Sequence, residues 1–290
     1  MKTVWRNAVA ALLGACAMAA QAQERDRERE PQPLTNCVRP PVLHLAVIPK
    51  NANSLKQERQ ASLLQALREA TALPVQWMPA ASYAAVVEGL LSGQTHVAEL
   101  GPASYAMLRQ RSRQFEPFAA FSNHNALAQY HSVLLVAANS KAHSLQDLRG
   151  LKVALTDPAS TSGAVIPRLA VRQLTGYGIE QFFGHVLYMG GHDKALAALR
   201  KGKVDAAFVA SHQVGDFTGR ALWRSPAITA SPYVWDQRLC ADLKQAIARV
   251  FLEQPARIQP WLETKNYRQM VPVTVQDYAD IEAWLRAAQP

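Results

Sequence analysis

The sequence predicts an α/β protein of two lobes, each built on a mostly parallel sheet flanked by helices. Three observations predict it. Short apolar, β-branched runs alternate with longer helix-like stretches, the pattern of βαβ units. That rhythm pauses near residue 131 and restarts, so the 290 residues carry two such blocks. Clusters of small and polar residues follow several strand-like runs, where open α/β sheets hold ligands.

The first block opens with the β-branched run Val42–Ile48, followed by an amphipathic stretch from Ser54 to Ala70. Val75–Met78 is a short strand, and Ser82–Leu91 a helix ended by Ser92-Gly93. Thr95–Leu100 is a strand that leads through Gly101-Pro102 into a helix from Ala103 to Arg111. Pro at a helix start and Gly past a helix end suit the backbone angles needed there. The second block begins with the strand Ser132–Ala137, the short helix Ser144–Leu148 closed by Gly150, and the strand Lys152–Thr156. A helix over Ala164–Leu174 stops at Thr175-Gly176, then come the strand His185–Met189, the helix His192–Arg200 and the strand Val204–Val209. Two further helices, Ala241–Glu253 and Val275–Ala288, complete the order.

Composition narrows the function. With 49% hydrophobic residues the chain has material for one or two cores. Residues 1–22 read as an export signal: Lys2 and Arg6 precede the apolar Ala8–Ala20, and Ala20-Gln21-Ala22 is a small-x-small cleavage site. Leu13-Gly14-Ala15-Cys16 also resembles a bacterial lipobox, which would put lipid on Cys16. The Ala-rich run continues past Cys16, which favours simple cleavage after Ala22. Either route leads out of the cytoplasm, to the periplasm. Residues 23–40, with alternating charges over Glu24–Glu30 and then Pro31-Gln32-Pro33, read as a solvated linker. No later apolar stretch reaches the ~20 residues that span a bilayer. Lys2 and Arg6 are the only charges in residues 1–22, so the formal charge of +9 becomes +7 after their removal. The remaining cations are scattered without a basic–aromatic cluster, which argues against nucleic-acid binding. Cys37 and Cys240 could pair in an oxidising compartment or stay as two buried thiols. No Cys/His spacing suggests a metal, and no cofactor motif is present.

The segment carrying most chemistry is Asp157-Pro158-Ala159-Ser160-Thr161-Ser162-Gly163, between a strand and a helix. The first N–H groups of a helix lack intrahelical acceptors and sit at the positive end of its dipole. Hydroxyls at such a turn complete a cup for a tetrahedral oxyanion, and Gly163 lets backbone approach a ligand. Read alone, the same residues also describe an ordinary Ser/Thr N-cap.

Four segments in order carry a resemblance: Tyr83–Leu90 with Ser92-Gly93; Gly101-Pro102-Ala103-Ser104-Tyr105; His131–Val136 through Leu145–Gly150 to Asp157–Gly163; and Gly190-Gly191-His192-Asp193 with Val204–Ala207. Over roughly residues 42–255 the chain resembles the PhnD-like substrate-binding proteins of phosphonate and phosphite ABC importers. The resemblance implies a periplasmic binding protein fold (type II-like) with a hinge between lobes. Residues 41–131 with 230–290 would make lobe 1, and 132–229 lobe 2. It further implies a small phosphorus oxyanion as ligand, an inner-membrane ABC permease as partner, a monomer, no cofactor and no catalysis. Ser160, Thr161 and Ser162 would hold the phosphonyl oxygens, with His192 donating from the facing helix start and Tyr105 from the other lobe. Taken singly, Tyr105 also fits a core position and His192 a structural one.

Departures from the family pattern concern selectivity. Ile228-Thr229-Ala230-Ser231-Pro232 has Ser231 where the family usually has Asp, and Ser211-His212 stands where aminophosphonate receptors carry Glu. His96-Val97-Ala98 replaces a D-I-A, with Glu99 nearby. Ser231 and His212 are thus candidate ligand residues in a less acidic pocket, expected to take a compact or differently substituted oxyanion rather than 2-aminoethylphosphonate. The sequence also admits two other classes: a receptor reporting to a membrane sensor, and an exported phosphoester hydrolase. The hydrolase reading lacks an acidic residue to orient His192 behind Ser160–Ser162, and lacks a metal-ligand set.

Overall fold

The computed structural model describes residues 37–123 and 126–288. The signal peptide, Cys16 with its lipobox and nearly all of the 23–40 linker lie outside the described residues. Arg39–Pro290 form one compact unit, built on two sheets.

Strands β1 (Leu43–Val47), β2 (Val75–Met78), β3 (Val97–Glu99), β4 (Phe115–Asn123) and β5 (Ala126–Leu127) belong to the first sheet. β6 (Gln129–Tyr130) leads out of it. The second sheet takes β7 (Ser132–Ala137), β8 (Lys152–Leu155), β9 (His185–Tyr188), β10 (Ala206–Ala210) and β11 (Gly219–Arg224) in the order β11-β7-β10-β8-β9. β12 (Ile228–Thr229) returns beside β6, pairing Ile228 with Tyr130 and Thr229 with Gln129. β13 (Pro232–Asp236) and β14 (Gln269–Pro272) then complete the first sheet, ordered β14-β4-β13-β3-β1-β2 with β5 on β4. The chain therefore crosses between lobes twice, through a two-stranded ribbon.

The expectation of mostly parallel sheets holds only at the heart of each lobe. β1 runs parallel to β2 and β3, and β8 parallel to β9 and β10. β13 is antiparallel to both β3 and β4, and β7 to both β10 and β11. Parallel neighbours need a crossover, usually a helix, whereas antiparallel ones do not. The strands that enter and leave the crossing ribbon have no crossover helix, so they add antiparallel.

Helices α1 (Ala61–Thr71), α2 (Tyr83–Leu91) and α3 (Pro102–Arg111) follow strands of the first sheet; α4 (Ile166–Thr175), α5 (Ile179–Phe182) and α6 (His192–Arg200) follow strands of the second. α7 (Ala241–Leu252), α8 (Gln259–Thr264) and α9 (Ala279–Ala288) complete the fold. The amphipathic stretch from Ser54 becomes a regular α-helix only at Ala61, after two tight turns at Ala52–Leu55 and Gln57–Gln60. Ser82 caps α2, accepting from Ala85 N at 3.1 Å, so α2 starts where its side chain satisfies an orphan donor. α9 is packed on α3 and α4, and Ala103, Ala106, Ile166, Ala210, Ile281 and Leu285 share one buried apolar cluster. That cluster draws on both lobes. No helix among the described residues is long and apolar enough to cross a membrane. Cys37 and Cys240 are both disulfide-bonded.

Candidate oxyanion-binding site

β8 ends at Leu155, and the chain turns through Thr156 and Asp157 into α4. Asp157 folds back, its carboxylate accepting from Ala159 N at 2.9 Å. Ser160 caps a wide turn, Thr161–Val165, that runs into α4, accepting from Gly163 N at 3.2 Å. Ala164 N and Val165 N both donate to Ser160 O, at 3.1 and 2.9 Å. The second of these is an i→i−5 bond that widens the first turn. The N–H groups of Thr161 and Ser162 have no intrahelical acceptor. Ser160, Thr161 and Ser162 are each only 2% exposed and line a tight cup with Tyr83, Tyr130, Lys50, His192, His212 and Ser231.

The wall opposite the turn comes from the first lobe. Tyr83 N donates to Asp157 Oδ2 at 3.1 Å, and Ala103 N to Thr161 Oγ1 at 2.9 Å. Both are donors at helix starts, which need acceptors from outside their helices. Ser104 Oγ donates to Ala159 O at 3.0 Å. On the other side of the cup, His192 N donates to Lys50 O at 2.8 Å and Ala52 N to Asp193 Oδ2 at 3.0 Å. The two lobes are therefore hydrogen-bonded directly around the cup.

Charge inside the cup is cationic or neutral. Glu99, fully buried beneath it, is hydrogen-bonded by Lys50 and Tyr233, and Lys265 Nζ lies 3.6 Å from its second oxygen. Burial works to raise the Glu99 pKa, but the two ammonium groups and these hydrogen bonds outweigh it and hold it at about 2. Lys50 Nζ also donates to Ser231 Oγ at 3.1 Å. Burial, reinforced by His212 and Lys50, lowers the His192 pKa to about 3. Burial and Lys50 lower that of His212 to about 4. Both imidazoles are neutral at pH 7. His192 Nδ1 accepts from Ala210 N at 3.2 Å, so the ring proton sits on Nε2. Burial, above all, raises the pKa of Tyr83 and of Tyr130, whose hydroxyls lie beside Ser160 and beside Thr161 and Ser162. Both phenols stay protonated as donors. No Asp or Glu lines the cup among the described residues. The arrangement offers hydroxyl, imidazole, amide and ammonium donors converging on a space that suits an oxyanion.

Residues 45–278 match the family of periplasmic substrate-binding proteins of phosphonate ABC transporters. The chain belongs to this family. It is 26% identical over 231 residues to the phosphate-import protein PhnD of Mycolicibacterium smegmatis, covering 74% of this chain and 72% of that one. The phosphonates-binding periplasmic protein of Escherichia coli is 25% identical, and the match spans 72% of this chain but 65% of the relative. The binding component of a Pseudomonas aeruginosa phosphonate transporter shares the fold with a TM-score of 0.77 at 21% identity, covering 86% and 87% of the two chains. PhnD1 of Prochlorococcus marinus, solved with methylphosphonate, gives 0.75 at 20% identity over 86% and 98%.

Within this phosphonate-receptor fold, Ser160, Thr161, Ser162, His192, His212 and Ser231 all line one cup. Tyr105 requires correction. Its side chain is buried away from the cup, edge-on to Tyr278 at 5.4 Å between ring centroids and with the Arg109 guanidinium 5.9 Å from its own. It lies one turn inside α3, which meets the 157–163 turn through Ala103 N and Ser104 Oγ. His192 donates as a neutral imidazole, its pKa lowered by burial. Gly163 has a packing reason: a Cβ there would lie 1.9 Å from Thr156 Oγ1. Sequence reasoning missed Lys50, Tyr83 and Tyr130. Lys50 follows the carboxyl end of β1, where open α/β sheets place ligand residues, so a signal for it existed.

Proposed function

We propose that the protein captures a phosphorus oxyanion (a phosphonate, phosphite or phosphate) in the cleft between its lobes and delivers it to an inner-membrane ABC permease. The observation that carries this reading is the Ser160–Ser162 turn, closed over by Tyr83, Tyr130, Lys50 and His192 in a cup that no carboxylate lines among the described residues. A bound anion would accept from the Thr161 and Ser162 N–H groups, the hydroxyls and His192 Nε2–H, with Lys50 supplying charge. Neutral fixed donors bind an oxyanion without the cost of burying several cations. Two relatives, named for phosphate import and for phosphonate binding, keep the ligand within one chemical class.

Motion at the β6–β12 ribbon would open the lobes, and the cross-lobe bonds from Tyr83, Ala103 and His192 would re-form on closure. The closed pair would present the surface that a permease reads. The protein does no chemistry of its own in this reading: the Ser160 hydroxyl oxygen is engaged by Gly163 N, and His192 Nδ1 by a backbone amide rather than an orienting carboxylate. Export by residues 1–22 would place it in the periplasm as a monomer.

A thermal-shift screen against methylphosphonate, phosphite, phosphate, sulfate and 2-aminoethylphosphonate tests the proposal, because a ligand that binds only the folded state raises its stability. At least one phosphorus oxyanion should raise the midpoint with saturable dependence. If none of the phosphorus compounds does, the proposal fails.

A further inference from the structure

The cup is only the deep end of a larger space. It encloses about 20 Å³, enough for a small group, whereas the chamber it opens into holds about 390 Å³. Lys50, Tyr130, His212 and Ser231 line both, and Tyr130 meets His212 edge-on at 5.0 Å between ring centroids. A bare phosphite or methylphosphonate would fill the first and leave the second to water.

The chamber wall is polar and rich in donors. Lys50, Arg59 and Lys265 line it, together with the amides of Asn123 and Asn266, and no Asp or Glu does among the described residues. Lys50 and Lys265 share the single carboxylate of Glu99, so the trio of charges retains one positive in excess. Arg59 is exposed and enters none of the ion pairs found among the described residues. Gln60 adds an independent sign. It is fully buried, and its Oε1 accepts from Trp261 Nε1 at 2.9 Å. An indole N–H only donates, which fixes the amide orientation. Gln60 Nε2 is left buried with no partner at the chamber wall, and such a donor is costly unless something accepts from it. An alkylammonium would meet excess positive charge here, with neutral amide and hydroxyl oxygens but no carboxylate among the described residues to accept from it.

Resting on the oxyanion reading above, we propose that the natural ligand is a substituted organophosphorus compound whose substituent ends in a second anionic, hydrogen-bond-accepting group such as a carboxylate. The phosphorus head sits in the Ser160–Ser162 cup, and the second group is held by Gln60 Nε2, Arg59 and Lys265. A terminal acceptor satisfies the orphaned amide and the excess positive charge together, which a plain alkyl chain does neither of.

Calorimetric titration with a ladder of probes tests this: phosphonoacetate, 3-phosphonopropionate and 4-phosphonobutyrate, each against the alkylphosphonate of equal chain length, with 2-aminoethylphosphonate as the cationic control. At one chain length the carboxylate should improve affinity about tenfold or more, the scale of one or two charge-assisted hydrogen bonds. In Arg59→Gln, and more strongly in Arg59→Glu, that ratio should collapse toward one. Arg59 is exposed, so these variants should keep the wild-type melting midpoint. The proposal is overturned if the carboxylate gives no advantage at any length. It is equally overturned if the ratio survives both substitutions, or if 2-aminoethylphosphonate binds more tightly than ethylphosphonate. Absence of binding by every phosphonate, methylphosphonate included, would instead sink the oxyanion reading on which it rests.

Discussion

Replacing Lys50 with Met removes one of the two cations that hold Glu99 ionised under the cup. The magnitude follows from the carboxyl group itself. Its pKa is held from an ordinary 4.5 down to about 2, which corresponds to about 3 kcal/mol of stabilisation at ~1.4 kcal/mol per pH unit. Removing one partner of a buried ion pair costs ~3–5 kcal/mol when the other is stranded. Here Lys265 remains 3.6 Å from the second oxygen, so about 2–3 kcal/mol is the expected loss. For a chain of this size that lowers the melting midpoint by about 4–10 °C. The pH dependence has a definite sign. A carboxyl with a depressed folded pKa contributes fully above its unfolded value of 4.5 and loses the contribution as pH falls toward 2. The gap between wild type and Lys50→Met should therefore be constant above about pH 5 and shrink on acidification. His192 and His212, whose pKa values Lys50 helps to lower, shift the balance in the same direction. Scanning calorimetry of ligand-free protein between pH 4 and 8 reads this directly. Lys50→Met/Glu99→Gln/Lys265→Met, which leaves none of the three buried charges unmatched, should recover at least half of the loss. A midpoint within 1 °C of wild type for Lys50→Met, or no recovery in the triple variant, would refute the ion-pair argument.

Three further outcomes follow from the same geometry. Gly163→Ala should lose ~1–3 kcal/mol or more through overpacking against Thr156, and Thr156→Ala in the same chain should restore part of it, as chemical denaturation would measure. The His192 ring should stay neutral throughout an NMR titration of ligand-free protein from pH 8 to 5, because burial holds its pKa near 3; protonation with a midpoint above 6 would contradict the assigned burial. Tyr105→Phe should leave oxyanion affinity within twofold of wild type, since its ring packs on Tyr278 away from the cup; a tenfold loss by calorimetry would return Tyr105 to the site.

The strands that sequence alone makes visible are the ones flanked by turn residues and covered by helices. β1, β8 and β10 are short apolar runs of this kind, and each sits where its run predicts. β4 was hidden because Pro117 interrupts Phe115–Asn123; the ladder accommodates it where the register to β13 shifts. β13 begins on Pro232, and β11 alternates exposed and half-buried residues with no continuous apolar run. Within the site, Ser160–Ser162 and His192 were legible because a strand end, a hydroxyl turn and a helix start are local patterns. Arg59 with Gln60, Tyr130 and Lys265 arrive from three separate segments, and nothing within ten residues of any of them announces a common chamber. The acidic character of Glu99 was visible, but its neutralisation by Lys50 and Lys265 is a tertiary fact. The Asp-to-Ser difference at Ser231 pointed toward a less acidic pocket, and Ser231 now receives its hydrogen bond from Lys50.

Isothermal titration of methylphosphonate into wild-type protein and into Ser160→Ala/Thr161→Val is the most direct test of the central claim. Saturable one-to-one binding by the wild type, with at least a hundredfold loss in a double variant that circular dichroism shows to be folded at the titration temperature, is the predicted result. Affinity in the double variant equal to that of wild type would contradict the assignment of the oxyanion to the Ser160–Ser162 turn.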